Sequence, residues 1–331
     1  MTAPVATARV TIAIVSYNSG ATLPRCLAAL AAQSEQNFRV ILIDNASRER
    51  PVALIQSLPF PVDYREMDEN LGFAGGMNVA LEACETPFLA ALNPDAFPEP
   101  AWLANLLRAA DRYPHVAAFG SMQLAADNPG RIDGFGDHYL ICGQAWRGRT
   151  RPPTHGDLAY SFGVCAAAAL YRTGLLREVG SFDERFFCFY EDVDVAFRLR
   201  LAGAECAVVP AAVVSHVGGA SFEGLSDFAA FLIARNQWWV LVKNMPLTLL
   251  CFALPGFVLL QLIGLVRHPG SARMKGLWAG LIGTAEFLKA RRVVRKQRSP
   301  LANAGYWISW NPVAFLRKTA LVRVDRRSGA S

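Results

Sequence analysis

The chain of 331 residues lacks any C-x-x-C pair, and its seven cysteines stand singly at 26, 84, 142, 165, 188, 206 and 251. A scattered, odd set supplies neither the paired ligands of a zinc ribbon nor a disulfide framework, so reduced cytosolic thiols are expected. The amino terminus, MTAPVATARVTIAIVSYN, lacks the apolar stretch of a secretion signal, which points to a cytoplasmic body. No internal repeat is found. Acid is scarce at the far end: residues 241–331 carry 15 Lys or Arg against 2 Asp or Glu, whereas residues 1–240 carry 18 against 25. A basic tail that is also rich in Leu, Phe and Trp suits an anionic membrane surface and argues against nucleic acid as the partner.

What is present is an α/β rhythm. β-Branched runs (VTIAIVS, 10–16; FRVILID, 38–44; PVDYREM, 61–67; PFLAALN, 87–93; VAAFGSM, 116–122) alternate with alanine-rich amphipathic segments at 23–33, 51–58, 74–84 and after Pro100. The alternation predicts βαβ units and a mainly parallel sheet flanked by helices. Residues 123–160 have neither period and are expected to form a long excursion of loops and short strands, functional by its length. A strand over 161–172 and two further strand segments, 204–210 and 211–221, close this body, taken as residues 1–225.

From 226 onward long helices are expected. LTLLCFALPGFVLLQLIGLV (247–266) is a run of 20 uncharged residues, about enough to cross a bilayer. A single crossing would put Arg267, Arg273, Lys275 and the cluster from Lys289 to Arg298 on the outer side, against the positive-inside bias. The next apolar segment, 276–288, is short and contains Glu286. Pro255 and Gly256 are expected to break the run, and the region 226–331 is assigned as a helical, basic appendage attached to the membrane as a peripheral or monotopic element.

In open parallel sheets ligands bind beyond the carboxyl ends of the strands. Asp44 ends the second strand, Asn93 and Asp95 flank Pro94 after another, and Asp192 opens a helix behind the aromatic run FFCFY. Any of these alone is explained by a helix cap or a turn. Together, oxygen ligands at Asn93 and Asp95 suit a hard cation, Mg2+ or Mn2+, and an imidazole at His216 would favour Mn2+. The loop NLGFAGGMN (70–78) lets a ligand approach backbone closely, although a tight turn explains it equally well. Glu191, Asp192 and Asp194 crowd one helix start, where dipole partners or caps are the ordinary explanation. The aromatic wall would desolvate a carboxylate and fit it for general base work; Asp194 is expected to face solvent or cap.

In this order IVSYNS (14–19), IDNAS (43–47), NLGFAGGMN (70–78), LNPD (92–95), GSFDERFFCFYEDVDVAFRLRLAG (180–203) and SHVGG (215–219) resemble family 2 glycosyltransferases of GT-A fold, in particular a bacterial rhamnosyltransferase-like branch. The resemblance covers about residues 9–222. It implies a nucleotide-diphosphate sugar donor, possibly dTDP-rhamnose, bordered by Ser16, Tyr17, Asn18, Asp44, Asn70, Gly72, Phe73, Gly75, Asn78 and Asn93. It further implies a divalent metal on Asp95 and His216, Asp192 as catalytic base, and Glu191 beside it positioning the acceptor. Asn93 stands where the family's D-x-D pattern begins with Asp. The implied reaction is inverting transfer to a hydroxyl of a lipid-linked or cell-surface glycan at the cytoplasmic face of the inner membrane. A polyprenyl-phosphate acceptor and a noncatalytic nucleotide-sugar scaffold are the alternatives.

Overall fold

A computed structural model describes residues 8–150, 157–218, 226–267, 270–294, 307–319 and 321. Gly219 of the SHVGG motif, the end of the strand expected over 211–221 and the basic residues Arg295, Lys296 and Arg298 lie outside the described residues.

The first half follows the expected alternation: β1 (Val10–Ser16), α1 (Leu23–Ala31), β2 (Phe38–Asp44), α2 (Val52–Gln56), β3 (Val62–Glu66), α3 (Gly72–Glu82), β4 (Phe88–Leu92), β5 (Ala96–Pro98) and α4 (Trp102–Arg112). The excursion is built from the end of β6 (Val116–Ala125), then β7 (Asn128–Gly134), β8 (Asp137–Leu140) and β9 (Ala145–Arg147). After it come β10 (Ala159–Ser161), β11 (Ala168–Arg172), α5 (Thr173–Glu178), a 3-10 turn at Glu184–Phe186, α6 (Glu191–Leu201) and β12 (Glu205–His216). The carboxyl-terminal region adds α7 (Asp227–Asn244), α8 (Leu247–Arg267), α9 (Ser271–Ile282), α10 (Thr284–Val294), β13 (Ile308–Ser309) and α11 (Pro312–Leu316).

The main sheet runs β10-β12-β6-β11-β4-β1-β2-β3. β1 lies between parallel partners β2 and β4, and β2 pairs in parallel with β3. The chain thus winds outward from β1 and then returns to its other side, which creates the switch point beside which such sheets bind ligands. Their apolar runs are nearly continuous because helices cover both faces. Val10, Ile12, Ile14 and Leu42 pack with α1 and α4 on one side, and Ala13, Ile43 and Ala91 pack with α3 on the other.

Two strand expectations are corrected. The segment 161–172 is two strands rather than one: β10 pairs antiparallel with β12, and β11 inserts antiparallel between β4 and β6. Residues 162–167 leave the sheet because Gly163 bonds in both directions with Asp137, and the Ala167 carbonyl accepts the Asn93 N–H. The segments 204–210 and 211–216 are one strand, β12, whose register against β6 slips between Val209 and Val213. Pro210 sits in that irregularity, where a missing N–H costs no ladder bond.

A third apolar cluster joins the excursion to α6, α7, α8 and α10 through Tyr139, Phe162, Phe197, Trp239, Leu241, Phe257 and Phe287. Pro255 and Gly256 do not break α8, which runs through both. A proline deletes a single i to i−4 bond, and Gly256 is needed where the helix crosses the side chain of Cys142.

Candidate active site

The register of the sheet sets the rim of the site. Ser16, Asp44 and Glu66 fall opposite one another at the ends of β1, β2 and β3. The Asp44 carboxylate is buried and accepts bonds from the Ser47 N–H (2.9 Å) and the Tyr64 hydroxyl (2.9 Å). Asn18, at φ 53°, accepts the Arg48 N–H with its side-chain oxygen and gives its own N–H to Ser47 Oγ. Tyr17 beside it is exposed.

Asn70 Oδ1 accepts the Gly72 N–H, and the Gly72 carbonyl accepts from Asn45 Nδ2. Gly72 has φ +71°, and a Cβ there would run into the Phe187 carbonyl. Glycine is therefore demanded by the approach of the segment preceding α6. Gly75 is packed beneath Leu71, and Phe73 stands edge-on to Phe182 at 6.0 Å. Asn78 is spent on structure: it donates to the Phe182 carbonyl and Glu184, and accepts the Phe182 N–H.

Asn93 and Asp95 follow β4, and β5 carries the chain antiparallel to the end of β12 so that Ala96 faces His216. The result is an Asp95–imidazole pair: Asp95 Oδ1 lies 3.5 Å from His216 Nε2. On the other side of the ring, His216 Nδ1 lies 2.9 Å from Asp133 Oδ2 at the end of β7. With a proton on Nδ1 donated to Asp133, Nε2 presents its lone pair toward Asp95. That carboxylate–imidazole arrangement orients histidine ligands in metal sites. The Asp133 carboxyl is held below its ordinary range, chiefly by its bond to His216 and despite burial.

Asp192 lies in the first turn of α6. Its Oδ1 accepts the Val193 N–H (2.8 Å), and its Oδ2 accepts the Ala166 N–H (3.3 Å) from the segment that left the sheet. Burial raises its pKa above the ordinary value, opposed by the guanidinium of Arg147 and by these backbone donors. Glu191 is 5% exposed, one of its oxygens has no partner among the described residues, and burial followed by the charge of Asp192 pushes its carboxyl far upward. Asp137, at the start of β8, is pushed up to about 8 by burial and then by Asp192.

Arg147 is the common element. It ends β9 opposite Asp137, and its Nη1 lies 4.0 Å from Asp133. Its charge draws down the carboxyls of Asp95 and Asp133 on the imidazole side and opposes the upward shift of Asp137, Glu191 and Asp192 on the other. Asp133, Asp137 and Arg147 were not singled out from sequence. The signal for the two acids was charge set among glycines in GRIDGFGD (130–137), and Arg147 follows in AWRGR (145–149), all within a stretch without period. Asp194 is corrected: it faces neither solvent nor a cap but is fully buried against Arg198, Lys243 and Asn244. The cations that hold it come from one turn further along α6 and from α7.

An open α/β sheet flanked by helices, with its switch point beside β1, has the GT-A architecture. The chain belongs to glycosyl transferase family 2, whose model matches residues 11–180, and it is a glycosyltransferase of the rhamnosyltransferase-like branch. It is 30% identical over 235 residues to the N-acetylglucosaminyl-diphospho-decaprenol L-rhamnosyltransferase of Mycobacterium tuberculosis, covering 62% of this chain and 75% of that protein. Among solved structures, S. aureus TarS in complex with UDP-GlcNAc superposes with a TM-score of 0.57 at 16% identity, over 87% of this chain and 83% of that one. GalNAc-T7 with UDP, GalNAc and Mn2+ gives a TM-score of 0.61 at 14% identity, over 72% of this chain and 48% of that one; the match spans less than half of that longer chain.

Proposed function

We propose that this enzyme transfers a sugar, with inversion, from a nucleotide-diphosphate donor to a hydroxyl of a lipid-linked glycan, and that dTDP-rhamnose is the donor to test first. The observation that carries the proposal is the excursion that links the two halves of the site: Asp133 bonds His216 beside Asp95, Arg147 lies 4.0 Å from Asp133 and opposite Asp137, and Gly163, bonded to Asp137, belongs to the segment whose Ala166 N–H meets Asp192. A leaving diphosphate and an attacking alcohol need those two halves on opposite sides of one sugar. Residues 1–225 form the catalytic body, with the nucleoside bordered by Ser16, Tyr17, Asn18, Asp44, Asn70, Gly72, Phe73 and Gly75; Asn78 contributes by fixing the wall of this pocket at Phe182. The lipid-linked acceptor is supported by the name of the mycobacterial relative.

Asp192 takes the proton of the acceptor hydroxyl as its oxygen closes on the anomeric carbon. Glu191, buried beside it with its carboxyl pushed upward by burial and by the charge of Asp192, positions the acceptor sugar. Arg147 steadies negative charge between the two halves of the site. Asp95 and His216, with Asn93 beside them, would hold a divalent cation, which supplies Lewis-acid neutralisation of the diphosphate. Among the described residues no cluster of three acidic, His or Cys ligands exists, so donor phosphate and water would complete the shell, as is usual for Mg2+ and Mn2+.

A panel of nucleotide sugars with either cation, assayed for transfer to polyprenyl-diphosphate-linked N-acetylglucosamine, tests the assignment. One donor should saturate and yield product with inverted anomeric configuration; retention of configuration, or no transfer from any donor, would sink it. In the same assay Asp133→Asn, which weakens the orientation of His216, should raise the cation concentration for half-maximal rate by about 10- to 100-fold.

We propose further that the enzyme sits on the cytoplasmic face of the inner membrane with α8 in the plane of the interface. The helix has 21 residues and contains an 18-residue window of mean hydropathy 2.4. Ala253, Phe257 and Gln261 face the body, while Phe252, Leu259, Leu262 and Val266, with Trp278 and Ile282 of α9, are exposed. A helix fastened to the body along one side offers its other side to lipid headgroups and upper acyl chains. Co-sedimentation with vesicles containing anionic lipid should be strong and should fall at least about tenfold when Phe252 and Trp278 are both changed to Glu, at about 1.4 kcal/mol per decade. Unchanged sedimentation of that variant would refute the orientation.

A further inference from the structure

The segment leading into α6 has an unusual backbone. Phe187, Phe189 and Tyr190 all have positive φ, at 64°, 66° and 69°, a region that side chains with a Cβ rarely occupy and that persists only where surroundings over-determine it. The next two residues are Glu191 and Asp192. The Cys188 N–H closes a three-residue turn on the Phe186 carbonyl about Phe187, the Phe187 carbonyl accepts from α3 and the Tyr190 carbonyl from α6. The carbonyls of Phe186, Cys188 and Phe189 find their partners on α7.

Asn236, fully buried, points its side-chain amide at three of them: the carbonyls of Phe186 (3.0 Å), Cys188 (2.9 Å) and Phe189 (2.7 Å). The amide is oriented by Arg235, whose Nε donates to Asn236 Oδ1 (2.9 Å) while its Nη2 donates to the carbonyls of Arg185 and Phe186. Gln237 donates from Nε2 to the Tyr190 hydroxyl (2.9 Å), which also accepts the Ala145 N–H. The oxygen of Gln237 accepts from Gln261 of α8 (3.0 Å), and Gln261 in turn accepts from Arg273 of α9 (2.7 Å). A continuous line of hydrogen bonds, buried at Gln261–Gln237 and partly buried at either end, therefore runs from α8 and α9 to the residue that precedes Glu191.

We propose that Asn236 and Gln237 are positioning residues for the transfer reaction: they fix the left-handed run that aims Asp192, and Gln237 makes that aim depend on how α8 is seated. The proposal rests on Asp192 being the base. It assigns function to α7, beyond the family match at 11–180 and outside the catalytic body itself. Because Phe187 also meets the loop at Gly72 and accepts the Ala74 N–H, the donor side of the site has its own hold on the segment. Loss of the α7 bonds should therefore disturb the acceptor end more than donor binding.

The test uses the full-length chain as Asn236→Asp, Gln237→Leu, Tyr190→Phe and the Gln237→Leu/Tyr190→Phe double variant, with Asp192→Asn alongside. For Asn236→Asp and Gln237→Leu, kcat for transfer from dTDP-rhamnose should fall about 10- to 100-fold, since displacement of a reacting group by about 1 Å has effects of that size. Affinity for dTDP in Mn2+ should stay within about threefold, the pattern of an interaction made in the transition state rather than in binding. The double variant should lose less than the sum of the two single changes, because both break the shared Gln237–Tyr190 bond while each also removes a partner of its own. Amide exchange of residues 187–194 should quicken in all four variants, and this is read without any activity. Wild-type kcat and exchange in folded Gln237→Leu and Tyr190→Phe would overturn the proposal even if Asn236→Asp did not fold. Equal losses in dTDP affinity and kcat would also overturn it, leaving a general structural role. Full turnover by Asp192→Asn would instead remove the base assignment, a failure separable from unaltered exchange in the α7 variants.

Discussion

Asp192→Asn is expected to lower kcat by about 10²- to 10⁴-fold, the usual contribution of a general base, or at least about 3 kcal/mol of transition-state stabilisation. The amide keeps one acceptor oxygen, enough for the 2.8 Å bond from the Val193 N–H, and gives up only the longer one from Ala166 (3.3 Å), so the fold should survive and donor binding should change little. Proton removal requires the ionised form. Since burial raises the Asp192 pKa above that of a free carboxylate, wild-type kcat/KM should fall as pH drops, with its midpoint above the ordinary carboxylate range. That acidic limb should be missing from the residual activity of Asp192→Asn. Steady-state transfer across pH, together with thermal unfolding of the variant, checks both statements. A folded variant with near-normal turnover, or one that keeps the same limb, would show that another group takes the proton.

Much of this arrangement can be followed from sequence, and the parts that cannot share a physical cause. β1 to β4 are read correctly because a parallel sheet covered on both faces leaves unbroken apolar runs, and because its ligating residues fall where those runs stop. Asp44, Asp95 and His216 sit at or just beyond such ends, and Asp192 opens a helix. Asp133, Asp137 and Arg147 do not: they lie on short strands whose pairing is decided across the sheet, with β8 joined to β9 and, far along the chain, to β13. The antiparallel insertion of β11 is equally nonlocal, since a five-residue strand carries no mark of direction. The basic tail was legible as a charge imbalance but not in its uses. Lys243 is committed to Asp183 and Asp194, and Arg291 donates to the carbonyls of Val242 and Met245. Part of what looks like charge for a membrane is structural charge, and a count cannot separate the two.

Asp194→Asn should produce the opposite result from its neighbour two residues earlier: about 3–5 kcal/mol of lost stability, the cost of breaking a buried ion network from one side. Asp194 is 0% exposed and accepts from Arg198 Nε (2.8 Å), Lys243 Nζ (2.9 Å) and Asn244 Nδ2 (2.7 Å). Removing its charge leaves the Arg198 guanidinium without its carboxylate and Lys243 with Asp183 alone in the seam where α6 meets α7. Burial alone would raise this carboxyl, but Arg198 and Lys243 overcome it and hold the pKa below the ordinary value. The sign follows: the ionised network stabilises the fold above the pKa of the unfolded chain, and that contribution fades as pH falls through the lower folded value. Wild type and Asp194→Asn should therefore differ most near neutrality and converge in acid. At about 2–4 °C per kcal/mol for a domain of 150–250 residues, the melting temperature should drop by roughly 6–20 °C. Calorimetry from neutral pH into acid measures both the drop and the convergence. An unchanged melting temperature at pH 7 would mean that Arg198 and Lys243 find other partners without cost, and that the seam between α6 and α7 is held by its apolar contacts alone.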